Sequence, residues 1–152
     1  MTDIIIFCAE YLFLFSIVIF LYYGYTAPNK KEFIKLALLT GIIAFGLSLI
    51  ASALYYNPRP FMVTGVPPLV AHAPGNGFPS DHALLTGTIA AIVTVTSPYL
   101  GALLWLIAIA VSVARVLAGV HHSIDIIGSF IIAIVSAIAT QYFLKRYASP
   151  GK

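Results

Sequence analysis

Long apolar runs dominate this sequence. Five stretches, residues 4–25, 36–56, 80–96, 98–118 and 124–144, are 17 to 22 residues long and nearly free of charge. About 20 apolar residues in a helix cross a hydrocarbon core about 30 Å thick. Inside a bilayer, only helices and closed barrels satisfy every backbone donor and acceptor. The runs therefore predict an all-α, polytopic membrane helix bundle of five transmembrane helices, forming one integral-membrane domain over residues 1–152. The third run is short and is expected to tilt little or to begin below the membrane surface. The first lacks a basic start, carries Asp3 and Glu10, and is too long for a secretory leader, so it reads as a mature span. Charged residues make up 9% of the chain and apolar residues 61%. Soluble domains average about 25% charged residues, and so few charges cannot cover a water-facing surface. A net charge of +3 is too small for a nucleic-acid patch. One cysteine, Cys8, permits neither an intrachain disulfide nor a cysteine metal cluster.

The breaks between runs carry helix-end chemistry. Ala27-Pro28-Asn29 closes the first. Ser97-Pro98 places a capping residue before a proline at a first helical position, which suits a tight antiparallel turn. Gly119 is placed to end the fourth helix. The one long connection, residues 57–79, holds six of the nine prolines. A connection of that length without evident structure is functional or disordered.

With five spans, the loop after the first and the tail after the fifth lie on one side. Lys30, Lys31, Lys35, Lys145, Arg146 and Lys152 fall there, which the positive-inside rule makes cytoplasmic. Arg59 and Arg115 fall on the other face, with Asp81, Asp125 and all four histidines. Topology signals do not account for that outer group.

Three segments converge on the outer face: Asn57-Pro58-Arg59-Pro60-Phe61, Phe78-Pro79-Ser80-Asp81-His82, and the stretch from Arg115 through His121 and His122 to Asp125. Arginine offers a planar, permanently charged fork for phosphate oxygens. Ser80 sits at a helix start, where free amides favour an anion. His121 and Asp125, four residues apart, share a helix face. A carboxylate there can hold one imidazole nitrogen and leave the other free to attack. His82 is a second imidazole, able to give a proton to a leaving group. Together these groups suit phosphoryl transfer through a histidine nucleophile, with no conventional metal set required.

The motifs resemble those of the type 2 phosphatidic acid phosphatase superfamily: Lys-x6-Arg-Pro, Pro-Ser-Gly-His and Ser-Arg-x5-His-x3-Asp. Arg59-Pro60 matches the end of the first, Pro79-Ser80 with His82 the second, and Arg115, His121 and Asp125 the third at the same spacing. The Pro-Arg-Pro-Phe and Phe-Pro-Ser-Asp-His forms are most similar to the bacterial undecaprenyl-diphosphate phosphatase branch, linked to bacitracin resistance. The resemblance implies a membrane lipid phosphatase that works without a cofactor and recycles a polyprenyl diphosphate carrier for cell wall synthesis. It implies His121 as nucleophile, Asp125 as its orienting partner and His82 as general acid. Arg59, Ser80 and Arg115 would hold the phosphate. The chain departs from the family pattern at Ser52, where the lysine would fall, at Asp81 in place of glycine and at Ala114 in place of serine. The family commonly has six spans against the five here.

Other readings stand beside this one. A phosphatidylglycerol phosphate or phosphatidic acid phosphatase would present the same cluster. The histidines, Asp81 and Asp125 offer ligands for a metal-binding or transport protein, although two arginines in the cluster would repel a cation. A non-catalytic membrane protein is the third, supported by the absent lysine. His72, in the long loop, is either an exposed histidine or a contact to a second phosphate. Asp81 is a helix-start charge or the partner of an arginine or of His82, so any role toward substrate is indirect. His122 is expected to point away from His121. Glu10, a carboxylate inside the first span, is a functional candidate by position.

Overall fold

The computed structural model describes residues 1–147 and is all-helical there. Lys152, one of the basic residues sorted above, lies outside the described residues. The seven helices are α1 (Thr2–Glu10), α2 (Leu12–Thr26), α3 (Lys30–Leu54), α4 (Pro60–Thr64), α5 (Asp81–Thr96), α6 (Pro98–Leu117) and α7 (Ser123–Tyr147). Four segments are long and apolar enough to cross a membrane: α1 with α2, α3, α6 and α7. The fifth, α5, has 16 residues, about 24 Å at 1.5 Å per residue. It is short because it is central. Residues from Ala83 to Val93 are mostly buried, with α2, α3, α6 and α7 packed around them. Its cap, Ser80, is fully buried, while Asp81 at its first position is exposed.

Small residues let these helices approach. A Cβ on Gly87 would lie 2.9 Å from the Phe130 ring of α7. At the α5–α6 turn, Gly101 packs directly on the backbone of Thr94. Large side chains such as Leu38, Ile42, Phe45, Leu106 and Ile138 face outward. That is the expected inversion for a lipid-facing surface, because packing between spans favours small residues.

Several expected boundaries change. The first span is two helices broken at Tyr11, whose φ of −122° and ψ of −25° leave the helical region. The second runs over Lys30–Leu54, not 36–56. Its lysines are good helix formers and extend the helix beyond its apolar part. The fourth ends at Leu117, where Val120 N donates to Arg115 O and Gly119 N to Val116 O. Gly119 takes φ +76° there, the left-handed closure that glycine favours. The fifth begins at Ser123 and continues to Tyr147.

The 57–79 connection is ordered. It contains α4, and Pro58 and Asn76 form an isolated antiparallel bridge. Gly77 N donates to Asn57 O at 2.7 Å, and Leu69 N to Ala118 O at 2.9 Å. The loop folds back over the end of the bundle where α5 and α7 start and α3 and α6 end.

Candidate active site

The site is built at those four helix ends. The closing turn of α6 points the chain from Arg115 through Val120 to His121, and α7 starts two residues later. His121 and Asp125 are buried, at 2% and 0% exposure. His121 Nδ1 lies 3.0 Å from Gly77 O and 3.3 Å from Asp125 Oδ2. A carbonyl oxygen only accepts, so Nδ1 carries the proton. Arg59 Nη1 lies 3.3 Å from Nε2 and donates to Val120 O at 3.0 Å. Arginine only donates, so Nε2 bears the lone pair. The imidazole is therefore held as one tautomer, with its free nitrogen turned to a guanidinium. Burial holds the proton affinity of His121 below the ordinary histidine value. Asp125 opposes that shift, and Arg59 and Arg115 add to it.

Asp125 is satisfied at both oxygens. Oδ2 accepts from His122 N at 2.8 Å as well as facing His121, and Oδ1 accepts from Asn57 Nδ2 at 2.7 Å. The His122 ring turns away, as expected, and its Nε2 donates to Pro58 O at 3.2 Å. It therefore ties the α6–α7 turn to the first motif.

The two arginines differ. Arg59 is buried and bonded to the His121 turn. Arg115, 3% exposed, donates from Nη1 to Ala9 O at 3.4 Å, while its Nε and Nη2 have no protein partner. Ser80 Oγ is also buried without a partner. The Ser80 backbone is fixed to α7: its N lies 3.4 Å from Asp125 O, and its carbonyl accepts from Ser129 Oγ at 3.0 Å. Buried donors left unsatisfied are costly. The hydroxyls of Ser16, Thr40, Thr88, Ser112 and Thr140 are also unpartnered elsewhere in the bundle, but among the described residues Arg115 is the one charged side chain so left, and the motifs assign it and Ser80 to phosphate.

His82 is half-buried on the first turn of α5, with its ring edge-on to Phe13 at 4.8 Å between centroids. His72 reaches over the site from the loop. Its ring is 6.0 Å from that of His121 and nearly perpendicular to it. Burial, and then Arg59 and Arg115, hold its proton affinity below the ordinary value. Asp81 stays exposed at the mouth, close enough to Arg59 to offset part of the burial penalty on that guanidinium. Glu10 is half-buried at the α1–α2 break, one residue from the Ala9 carbonyl that Arg115 bonds. Among the described residues, no three His, Cys, Asp or Glu side chains are grouped to hold a metal ion.

A groove of about 520 Å³ runs from this cluster between α3 and α5. Arg59 and Asp81 stand at its polar end, and Ala44, Phe45, Leu49, Leu84 and Leu85 line its length. Sequence reading gave no role to Asn57, Asn76 or Ala9. The need of a buried carboxylate for partners on both oxygens is the one signal that could have found Asn57.

Comparison with known proteins agrees with this architecture. The PAP2 superfamily model matches residues 35–148, three quarters of the chain, and the protein belongs to that superfamily. It is a multi-pass membrane phosphatase. It is 28% identical over 140 residues to the bacitracin transport permease protein BcrC of Bacillus licheniformis, covering 91% of this chain and 69% of that one. It is 24% identical over 136 residues to undecaprenyl-diphosphatase BcrC of Bacillus subtilis, covering 89% and 70%. The crystal structure of Aquifex aeolicus LpxE superposes with a TM-score of 0.70 at 25% identity, covering 93% of this chain and 82% of that one. The match to the superfamily starts inside α3, so Ala9 and Phe13 lie outside it.

Proposed function

We propose that this protein hydrolyses the terminal phosphate of an isoprenoid lipid diphosphate, undecaprenyl diphosphate being the expected substrate, through a phosphohistidine. The observation that carries the reading is the fixed tautomer of His121, with its Nε2 lone pair turned to the Arg59 guanidinium, and the unpartnered buried donors of Arg115 and Ser80 support it. Nε2 attacks the terminal phosphorus. The bond to the bridging oxygen breaks, and lipid monophosphate leaves with a proton from His82. The Nδ1 proton stays between Gly77 O and Asp125, whose charge stabilises the cationic ring. Water then attacks the phosphohistidine, gives its proton to His82, and the P–N bond breaks to release inorganic phosphate. Arg59, Arg115 and Ser80 neutralise the transferring phosphoryl oxygens, the part that metal ions play in other phosphoryl transfers. His72 meets the second phosphate, and Asp81 acts only through Arg59. The apolar groove between α3 and α5 takes the start of the lipid tail.

The sidedness reading follows from charge. Glu32 and Lys145 line one pocket with Asn29 at the end of the bundle away from His121, so the lysine-rich loop and α7 terminus share a face. The positive-inside rule makes that face cytoplasmic and the catalytic face external.

The test compares kcat/KM for farnesyl or undecaprenyl diphosphate with that for phosphatidic acid, in one detergent and with chelator present. Faster diphosphate cleavage in chelator is expected. Equal or faster cleavage of phosphatidic acid overturns the substrate assignment, and loss of activity in chelator overturns the metal-free mechanism.

A further inference from the structure

The carboxylate of Asp125 has to be aimed as well as charged. One of its oxygens faces His121. The other accepts from Asn57 Nδ2 at 2.7 Å, the shortest bond between two side chains in the cluster. Sixty-eight residues separate the two, so the contact exists only because the loop is clamped. The clamp is Asn76. Its Oδ1 accepts from Asn57 N at 2.9 Å and from Phe78 N at 3.0 Å. Its Nδ2 donates to Ser52 O, Ser52 Oγ and Tyr55 O at 3.0–3.2 Å. One amide thus joins the end of α3, the first motif and the second. Ser52 is the position where the resembled family carries lysine, and here its hydroxyl is a clamp contact. Gly77 sits inside the same clamp and supplies the carbonyl that bonds His121 Nδ1.

We propose that Asn57 is a positioning residue for the reaction: its side-chain amide, locked by the Asn76 clamp, fixes the Asp125 carboxylate so that Oδ2 faces His121 Nδ1. Asn57 touches neither substrate nor the reacting nitrogen. It acts by donating to Oδ1, which stops the carboxylate from rotating and leaves its other oxygen for the imidazole. The inference rests on the phosphohistidine reading for its chemistry but not on which lipid is cleaved.

The amide's role as donor gives a test that packing alone would not pass. Asn57→Ala removes the donor. Asn57→Asp replaces it with a carboxyl that donates only when protonated. Two carboxylates in hydrogen-bond contact do not both ionise readily, so the variant pair shares a proton at lower pH and repels at higher pH. The other titratable or charged groups around that pair are His121, His122 and Arg59, which both proteins share. Turnover is measured for wild type and both variants from pH 5 to 8, on whichever of farnesyl diphosphate or phosphatidic acid the wild type cleaves. That choice separates failure of this proposal from failure of the substrate reading. Asn57→Ala is expected to lower kcat about 10- to 100-fold, the range known for partners that orient metal-binding histidines, with KM within about threefold. The ratio of Asn57→Asp to wild-type kcat is expected to rise at least tenfold as pH falls. A flat ratio, or an Asn57→Ala kcat within twofold of wild type, overturns the proposal. If the alanine variant does not fold, the pH dependence of the Asn57→Asp ratio decides alone.

Discussion

Gly77 O lies closer to His121 Nδ1 than the Asp125 carboxylate does, at 3.0 Å against 3.3 Å. A backbone carbonyl cannot be titrated or removed by a side-chain change, so the imidazole tautomer does not depend on Asp125 alone. In a serine protease triad, exchanging the carboxylate for an amide costs about 10⁴-fold because the tautomer flips. Here the carbonyl keeps the tautomer, and only the charge that stabilises the cationic ring is lost. Asp125→Asn should therefore lower kcat about 10²- to 10³-fold, or ~3–4 kcal/mol of barrier. His121→Ala should abolish turnover and phosphoenzyme labelling in a folded, extractable protein. Single-turnover kinetics with acid-labile phosphate trapping measure both. A 10⁴-fold or greater loss in Asp125→Asn would deny the carbonyl its role.

The same carbonyl makes Gly77 a close-approach glycine. A Cβ there would stand 2.9 Å from Asp125 Oδ2 and 3.2 Å from Asn57 O. Neither can yield without moving the carboxylate or the Asn76 clamp. Gly77→Ala should keep its helix content by circular dichroism and lose at least tenfold in kcat. An alanine variant with wild-type kcat would mean that the clamp has slack.

How much of this was legible in the sequence differs from part to part. The five apolar runs set the order of the main helical segments, four of them long enough to cross a membrane, because a bilayer demands such lengths. Their edges did not mark helix ends: the apolar part of the second run reports the hydrocarbon, while the helix continues through Lys31 and Lys35. The break at Tyr11 has no proline or glycine to announce it. Arg59, Ser80, His82, Arg115, His121 and Asp125 stood out because their chemistry is out of place in a membrane chain. The Gly77 and Ala9 carbonyls carry no side-chain signal at all. Asn57 and Asn76 looked like ordinary loop residues until the chain closed on itself.

The pH dependence follows from burial. The proton affinity of His121 is below its ordinary value, chiefly through burial, with Arg59 and Arg115 adding to the shift. Only the neutral ring attacks, so the acid limb of kcat/KM should lie below pH 6.5 once the substrate's own phosphate titration is subtracted. The stability sign runs the same way. The unfolded chain binds this proton first, so its contribution to stability is full above about pH 6.5. It is lost as pH falls below that value. An acid limb above pH 6.5 in the corrected profile would contradict the buried, neutral nucleophile.

Sidedness is tested by labelling. Cys8 is first replaced by alanine, and single cysteines are placed at Val66 in the ordered loop and at Asn29, both exposed. A membrane-impermeant maleimide should label Val66→Cys on intact cells and reach Asn29→Cys only after permeabilisation. The reverse pattern would place the site in the cytoplasm and remove the carrier-recycling role.

The last expectation concerns His72, whose ring stands over His121 from the loop, near both arginines. In the proposed reaction a monoester brings one phosphate, assigned to Arg59, Arg115 and Ser80. A diphosphate brings a second, and His72, whose ring stands 6.0 Å from that of His121, can donate to it. Burial, with the field of the guanidinium groups added to it, makes the free imidazole resist a proton. An entering diphosphate reverses that field, so the ring donates to the second phosphate as substrate binds. A hydrogen bond to a charged group contributes about 1.5–3 kcal/mol, or roughly 10- to 100-fold in kcat/KM. His72→Ala should therefore lower kcat/KM for farnesyl diphosphate by about that factor and leave phosphatidic acid within about twofold. His72→Gln, which keeps a donor without the charge, should recover part of the loss. Equal losses on both substrates would assign His72 to loop structure instead of to the second phosphate.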